Sequence, residues 1–188
     1  MGAGILPTTI HNNKLYFLFG KENKYGDTLG WSDFGGGTDN KETFIQTAIR
    51  EGGEELTGFL GSDADLSKML KNGTYNINNK SNSHNTYRMH IFKMNYDLAL
   101  PHYYNNNQRF IQKRLDPEIL KTSKIFEKAE IRWICIDDLQ KMKKEFRSYF
   151  QNIVDIILKE QTEIYQFINK NGKKQKQNKK TRKMKKNI

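Results

Sequence analysis

Apolar residues come first in short runs bounded by turn residues and later at helical spacing, and this change of pattern sorts the chain into strands and helices. Ala3 to Ile10 and Lys14 to Gly20 read as two strands joined by the turn His11-Asn12-Asn13, the second built on the aromatic run Leu15-Tyr16-Phe17-Leu18-Phe19. Lys21 to Gly30 is a polar loop. Trp31 to Phe34 is a short strand leading into Gly35-Gly36-Gly37, and Thr38 to Lys41 is turn-like. Phe44, Ile45, Ala48, Ile49 and Leu56 fall near a 3.6-residue period and predict a helix over Glu42 to Leu56. A short helix follows from Asp63 to Leu70, capped by Ser62 or Asp63. Thr74 to Ile77 and Thr86 to Tyr96 read as paired strands around a loosely packed Asn/Ser loop, 78–85. A long polar insert then runs from Leu100 to about Lys124. Ile131 to Ile136 is a strand, Asp137 caps a helix, and Phe146 to Ile168 has one long helical period through Phe150, Ile153, Val154, Ile157, Leu158, Ile164, Tyr165 and Ile168. There is no internal repeat.

A length of 188 residues suits one domain rather than two, and 36% hydrophobic with 12% aromatic residues is enough for a real core. The net charge of +11 looks like a nucleic-acid signal until it is located. Nine Lys and Arg lie in residues 172–188 with no acid among them, so the body, 1–171, keeps only +2. The expected organisation is therefore a single domain over 1–171 and a basic tail over 172–188. With Gly172, repeated Lys and Gln, and only Met184 and Ile188 apolar, the tail is expected to be disordered. It serves either as a solubilising or nuclear-import element or as an arm that attracts RNA. No apolar run approaches the ~20 residues that span a bilayer, and Met1 to Leu6 lacks the charged start of a secretion signal. The expectation is an intracellular protein of the cytoplasm or nucleus, a monomer or homodimer, with no membrane partner. Cys135 is the only cysteine. It excludes an intrachain disulfide or thiolate metal cage and reads as a small core residue.

The chemistry concentrates in residues 36–58. On a helix Glu51, Glu54 and Glu55 stand at i, i+3 and i+4, so three carboxylates share one face within a turn and repel one another. Only Arg50, at the side, offers relief, so a cation is expected in the site. A hard divalent ion such as Mg²⁺ or Mn²⁺ suits carboxylate oxygens and can bridge them to substrate phosphates. Gly35 to Gly37 add backbone groups that can approach metal or phosphate because no side chain intervenes. Gly52 and Gly53 lie side by side inside the helix, where each costs about 0.8–1.0 kcal/mol relative to Ala. They indicate a close approach, of another backbone or of ligand.

This stretch resembles the Nudix box: a glycine, five residues, glutamate, seven residues, arginine-glutamate, a hydrophobic residue, any residue, two glutamates, any residue, glycine. Gly36, Glu42, Arg50, Glu51, Glu54 and Glu55 all fall in register. Two positions depart: Gly52 stands where the pattern wants a hydrophobic residue, and Thr57 stands where it wants the last glycine, with Gly58 following. The resemblance implies an α-β-α sandwich around a mixed β-sheet over roughly 3–168, with a C-terminal helix. It also implies metal-assisted attack of water on a nucleoside diphosphate linked to another group. By that pattern Glu51, Glu54 and Glu55 bind Mg²⁺ or Mn²⁺, with Gly36 beside them and Gly37 next along the loop, and one of the glutamates activates water. Glu42 and Arg50 brace the loop against the helix. Replacing Glu54 by Gln is expected to abolish turnover.

Substrate lies outside the box. Tyr16, Phe17, Trp31, Phe34, Tyr87 and His90 are candidates for base recognition, and Lys21, Lys24, Arg88, Lys93, Arg109, Lys113 and Arg114 for extra phosphates. Nudix enzymes often place an additional base just before a strand like Ile131 to Ile136, which makes Glu130 a candidate and Glu127 its neighbour. The basic arm points to the 5′ cap of RNA as substrate, and the Asn- and Lys-rich composition resembles that of Nudix proteins from large DNA viruses, which would place the chain in host cytoplasm. The alternatives are diphosphoinositol or dinucleoside polyphosphates as substrates, and a non-catalytic Nudix module that binds nucleotide or RNA.

Overall fold

The computed structural model describes residues 1–39, 41–82, 85–122 and 126–170; the basic tail, the centre of the Asn/Ser loop and the end of the polar insert lie outside the described residues. Seven strands form one mixed sheet: β1 (Gly2–His11), β2 (Lys14–Glu22), β3 (Trp31–Ser32), β4 (Phe34–Gly37), β5 (Tyr75–Asn82), β6 (Asn85–Lys93) and β7 (Lys128–Cys135). The spine runs β3-β2-β1-β6-β5, with β4 paired to β1 and β7 to β2. Among the strand pairs of the described residues, β1–β6 is parallel and the others are antiparallel.

Side chains alternate across the strands and so feed two cores. Phe17 and Phe19 of β2 and Met89 and Ile91 of β6 face one side. There they meet Ile153, Val154 and Ile157 of helix α6 (Gln151–Lys159) and Ile164 and Ile168 of the helical residues 161–170. Ala3 and Ile5 of β1, Leu18 of β2 and Phe92 of β6 face the other side. There they meet Ala48 and Leu56 on or just after α1 (Phe44–Glu55) and Leu66 and Leu70 of α2 (Asp63–Leu70). The result is the expected α-β-α sandwich. Helix α2 begins at Ser62, whose hydroxyl accepts from the Asp65 amide. Cys135 is buried. Among the described residues no helix is long and apolar enough to cross a membrane.

Four expectations need correction. The polar insert contains α3 (Ala99–Arg114) and α4 (Pro117–Thr122). Helix α3 is anchored by Tyr104, whose ring is buried in the core against Phe59 and whose hydroxyl donates to the Glu55 carbonyl at 2.9 Å, and by Asn105, which both donates to and accepts from the Ile131 backbone. The Asn/Ser segment continues the β5–β6 ladder through Asn78↔Arg88, Asn79↔Tyr87 and Lys80↔Thr86, because ladder bonds use only backbone groups. Helix α5 (Ile136–Met142) begins one residue earlier than expected, with Cys135 at its N-cap and Asp137 in its first turn, where that carboxylate favours the helix dipole. Finally, Phe146 to Ile168 is not one helix. Phe146 and Arg147 run extended, and the Arg147 amide donates to the Trp31 carbonyl at 3.0 Å before the chain turns into α6. Another turn at Glu160 separates α6 from 161–170.

The two departures from the box have physical counterparts. A Cβ on Gly52 would sit 2.4 Å from Ile5 Cδ1 on β1, so the large residue of this contact is on the strand and the small one on the helix. Gly52 therefore marks close packing on the sheet rather than room for ligand. Thr57 has φ of +48°, a region that β-branched side chains avoid, and its buried hydroxyl has no partner among the described residues. Thr57→Gly is expected to stabilise the fold by about 1 kcal/mol, seen as a higher urea midpoint at unchanged m.

His90 lies buried on β6, with Nδ1 3.3 Å from the Thr74 hydroxyl and no partner for Nε2 among the described residues. Burial, aided by Arg88, lowers its pKa to about 4. The unfolded chain therefore binds the proton more readily, so the His90 contribution is complete above about pH 6.5 and is lost as pH falls towards 4, roughly 3 kcal/mol in all. Urea midpoints measured from pH 7.5 to 4.5 should fall more steeply for the native chain than for His90→Gln.

Candidate active site

The Arg50 guanidinium ties strand β4 to helix α1. Arg50 Nη2 donates to the Gly37 carbonyl at 3.0 Å, and Nε donates to Glu42 at 2.9 Å. Arg50 Nη1 reaches Glu51 at 2.8 Å and Glu54 at 3.4 Å. The guanidinium holds the Glu42 carboxyl at about 2, far below the ordinary value. Glu42 in turn accepts from the Asp39 amide and the Thr47 hydroxyl, which fixes the entry to α1. With its anchor set, α1 drops Glu51 directly over Gly36: a Cβ on that glycine would lie 2.5 Å from the Glu51 carboxyl carbon. With no side chain on Gly36 the Glu51 carboxyl lies against the loop backbone, and a Cβ there would push it aside.

Glu51 and Glu55 then share one cavity of about 440 Å³ with Gly35, Gly36 and Gly37. Glu22, Tyr25, Glu127, Arg147 and Tyr149 line the same cavity. Burial raises the Glu51 pKa against the pull of Arg50, and the Glu54 and Glu127 charges add to the rise. Glu54 is turned outward, 62% exposed, and is not on the cavity wall.

Glu55 has a different environment. Its Oε2 accepts from the Gly35 amide at 2.8 Å, and its Oε1 lies 3.0 Å from Nζ of Lys128, a lysine with no exposed side-chain surface. That ammonium also contacts Glu22 Oε2 at 2.9 Å and the Ser32 hydroxyl at 3.1 Å, and Arg147 donates to the same Glu22 oxygen at 2.9 Å. Burial works against the lysine's charge, but Glu55 and Glu22 outweigh it and keep its pKa above the ordinary lysine value. Next to this chain the Tyr87 hydroxyl donates to buried Asp33 at 2.8 Å, and burial lifts the Asp33 carboxyl to about 7. The cation demanded by three neighbouring carboxylates is thus supplied in part by the protein, through Arg50 and Lys128.

The remaining expected residues divide. Glu130 is not brought to the cavity: it forms an ion pair with Arg132 at 2.7 Å and lines a separate groove, while Glu127 takes the place on the cavity wall. A register shift between Lys21 and Glu22 breaks the alternation of the β2–β7 pair, so Lys128 reaches α1 and Glu130 does not. Phe17, Trp31 and Phe34 are core residues, and Tyr16, Tyr87 and His90 also lie off the cavity wall; the rings on it are Tyr25, Phe126 and Tyr149. Glu22, Lys128, Arg147 and Tyr149 went unread in the sequence. The only signal for the last pair is the faltering of helical period between Phe146 and Phe150.

The donors on the cavity wall are of the kind a hard divalent cation takes: Glu51 and Glu127 are carboxylates beside Gly35–Gly37, while both oxygens of Glu55 are engaged by the Gly35 amide and Lys128. Among the described residues no three His, Cys, Asp or Glu side chains converge as closely as a finished metal cage requires. Arg50 and Lys128 hold the box glutamates instead.

A mixed sheet between helical layers, with the box loop and box helix meeting at one cavity, defines a class: the chain has the Nudix fold. It can be superposed on a C. elegans Ap4A hydrolase with a TM-score of 0.51 and 14% identity, over 86% of this chain and 96% of that one. A bifunctional NMN adenylyltransferase/ADP-ribose pyrophosphatase from Francisella tularensis, solved with AMP and a manganese ion, gives a TM-score of 0.54 and 14% identity over 85% of this chain. The match spans 41% of that longer protein. No protein-family model and no curated protein sequence matches the chain.

Proposed function

We propose that this chain is a divalent-metal-dependent hydrolase of phosphoanhydrides and that its substrate is the 5′ cap of RNA. The observation that carries the reaction class is that Glu51, Glu55 and Glu127 line one cavity together with Gly35–Gly37. Held by these carboxylates, Mg²⁺ or Mn²⁺ would supply positive charge at the phosphate oxygens. Glu51, its pKa raised by burial, is suited to accept the proton of the attacking water. The water oxygen bonds to phosphorus, the anhydride P–O bond breaks, and the leaving phosphate departs with the electron pair. Arg147, held by Glu22 on the cavity wall, offers a guanidinium to the phosphate oxygens. Tyr25 and Tyr149, both exposed in part and on the cavity wall, offer rings on which a base can stack.

Capped RNA is favoured over a small polyanion because a Lys-rich tail is most useful near a long chain of phosphates. The test is incubation of the full-length protein with Mg²⁺ or Mn²⁺ and RNA labelled in its cap phosphates, with Glu51→Gln as the blank. Release of the cap nucleoside diphosphate by the native chain alone is the expected result. Cleavage of a diphosphoinositol or dinucleoside polyphosphate without cleavage of capped RNA would replace the substrate while keeping the reaction. No cleavage of any of them would overturn both.

A further inference from the structure

Beside the cavity, across the loop 23–30, lies a second groove of about 520 Å³ lined by Lys21, Lys24, Leu29, Asn105, Arg109 and Glu130 among others. Three elements contribute its cations: Lys21 from β2, Lys24 from the loop and Arg109 from α3. None of the three forms an ion pair with a described residue; Arg109 bonds only the neutral groups of Asn105 and Asn106. The two acids on the wall are already engaged, Glu130 with Arg132 and Glu22 with Lys128 and Arg147. The groove therefore presents uncompensated positive charge.

Its position gives that charge a direction. The loop 23–30 is a wall common to both spaces: Asn23, Tyr25, Gly26 and Asp27 line the cavity, and Lys24, Leu29 and Gly30 line the groove. A chain of phosphates leaving the cavity over this loop passes Lys24 and enters between Lys21 and Arg109. Tyr25, 37% exposed with the Lys24 ammonium over its ring, offers a surface to a base at the crossing.

We infer that this groove is a subsite for single-stranded RNA, in which Lys21, Lys24 and Arg109 hold backbone phosphates of the strand that follows the scissile anhydride. The inference rests on the hydrolase reading for its direction, but binding of uncapped RNA tests it without turnover. Full-length protein is titrated with a 5′-hydroxyl oligoribonucleotide across a salt series, and with inorganic tripolyphosphate as a second probe. Lys21→Gln/Lys24→Gln/Arg109→Gln is compared with Lys71→Gln/Lys141→Gln/Lys159→Gln, which removes the same charge from the exposed ends or faces of α2, α5 and α6. The groove variant should lose roughly tenfold in RNA affinity at physiological salt, with a log–log salt slope shallower by about 2, at ~0.7 per single-strand contact. The control should lose much less. An equal loss in the control, or no loss in the groove variant, would overturn the inference. So would a fall in tripolyphosphate affinity as large as that for RNA, since it would mark a small-anion pocket. Lys24→Gln alone, on an exposed loop, repeats the test with a slope change of about 0.7 if the triple variant does not fold. Failure of cap cleavage with this pattern intact would remove the proposed reaction and leave the RNA site standing.

Discussion

Lys128→Met is expected to destabilise the fold by about 3–5 kcal/mol, because it removes the only ammonium among the described residues that contacts both Glu55 and Glu22. Methionine fills most of the volume, so the loss is electrostatic. Glu22 keeps Arg147, but Glu55, 3% exposed, is left with the Gly35 amide alone. A buried carboxylate without its counter-charge either protonates or opens the structure around it. Urea denaturation should show the loss directly. Adding Glu55→Gln to Lys128→Met should recover part of it, since a neutral amide no longer needs the ammonium; if the double variant is as unstable as the sum of the two single ones, the pair is not coupled.

Glu51→Gln should leave stability within about 1 kcal/mol of native, because the amide oxygen can still accept from Arg50. Its expected effect is on turnover, a fall in kcat of about 10²–10⁴ on whichever phosphoanhydride the native protein cleaves. Glu54→Gln is the informative comparison. The sequence treats Glu51 and Glu54 alike, yet Glu54 is 62% exposed and off the cavity wall, so its loss should reduce kcat far less. Steady-state rates of the two variants under one metal concentration decide it. Equal losses would mean that Glu54 swings into the cavity when substrate and metal arrive.

What the sequence made legible was local. Ser62 before Asp63–Leu70 is a cap whose partner is three residues away, and the β1–β2 hairpin is closed by adjacent turn residues; both came out close to where they were read. The box loop and helix were legible for the same reason, since Gly36, Glu42, Arg50 and Glu51 meet within one short segment. The rest of the cavity wall was not. Lys128 finds Glu22 and Glu55 only because β7 pairs with β2 and is shifted in register there, and neither fact leaves a mark near residue 128. Helix α3 escaped because Tyr104 and Asn105 bind through polar atoms to distant backbone, so apolar spacing understated the element. The sequence favours Glu130 over Glu127 as the additional base, and the path of the chain into β7 reverses that choice by putting Glu127 on the cavity wall.

The contact between Gly52 and Ile5 carries a consequence for how this chain can change over generations. A side chain at 52 finds space only if the end of Ile5 moves, since a Cβ there lies 2.4 Å from its terminal methyl. The two positions are thus coupled: a smaller residue on the strand makes room for a larger one on the helix. Chains that carry a hydrophobic residue at 52 should favour a residue smaller than isoleucine at 5.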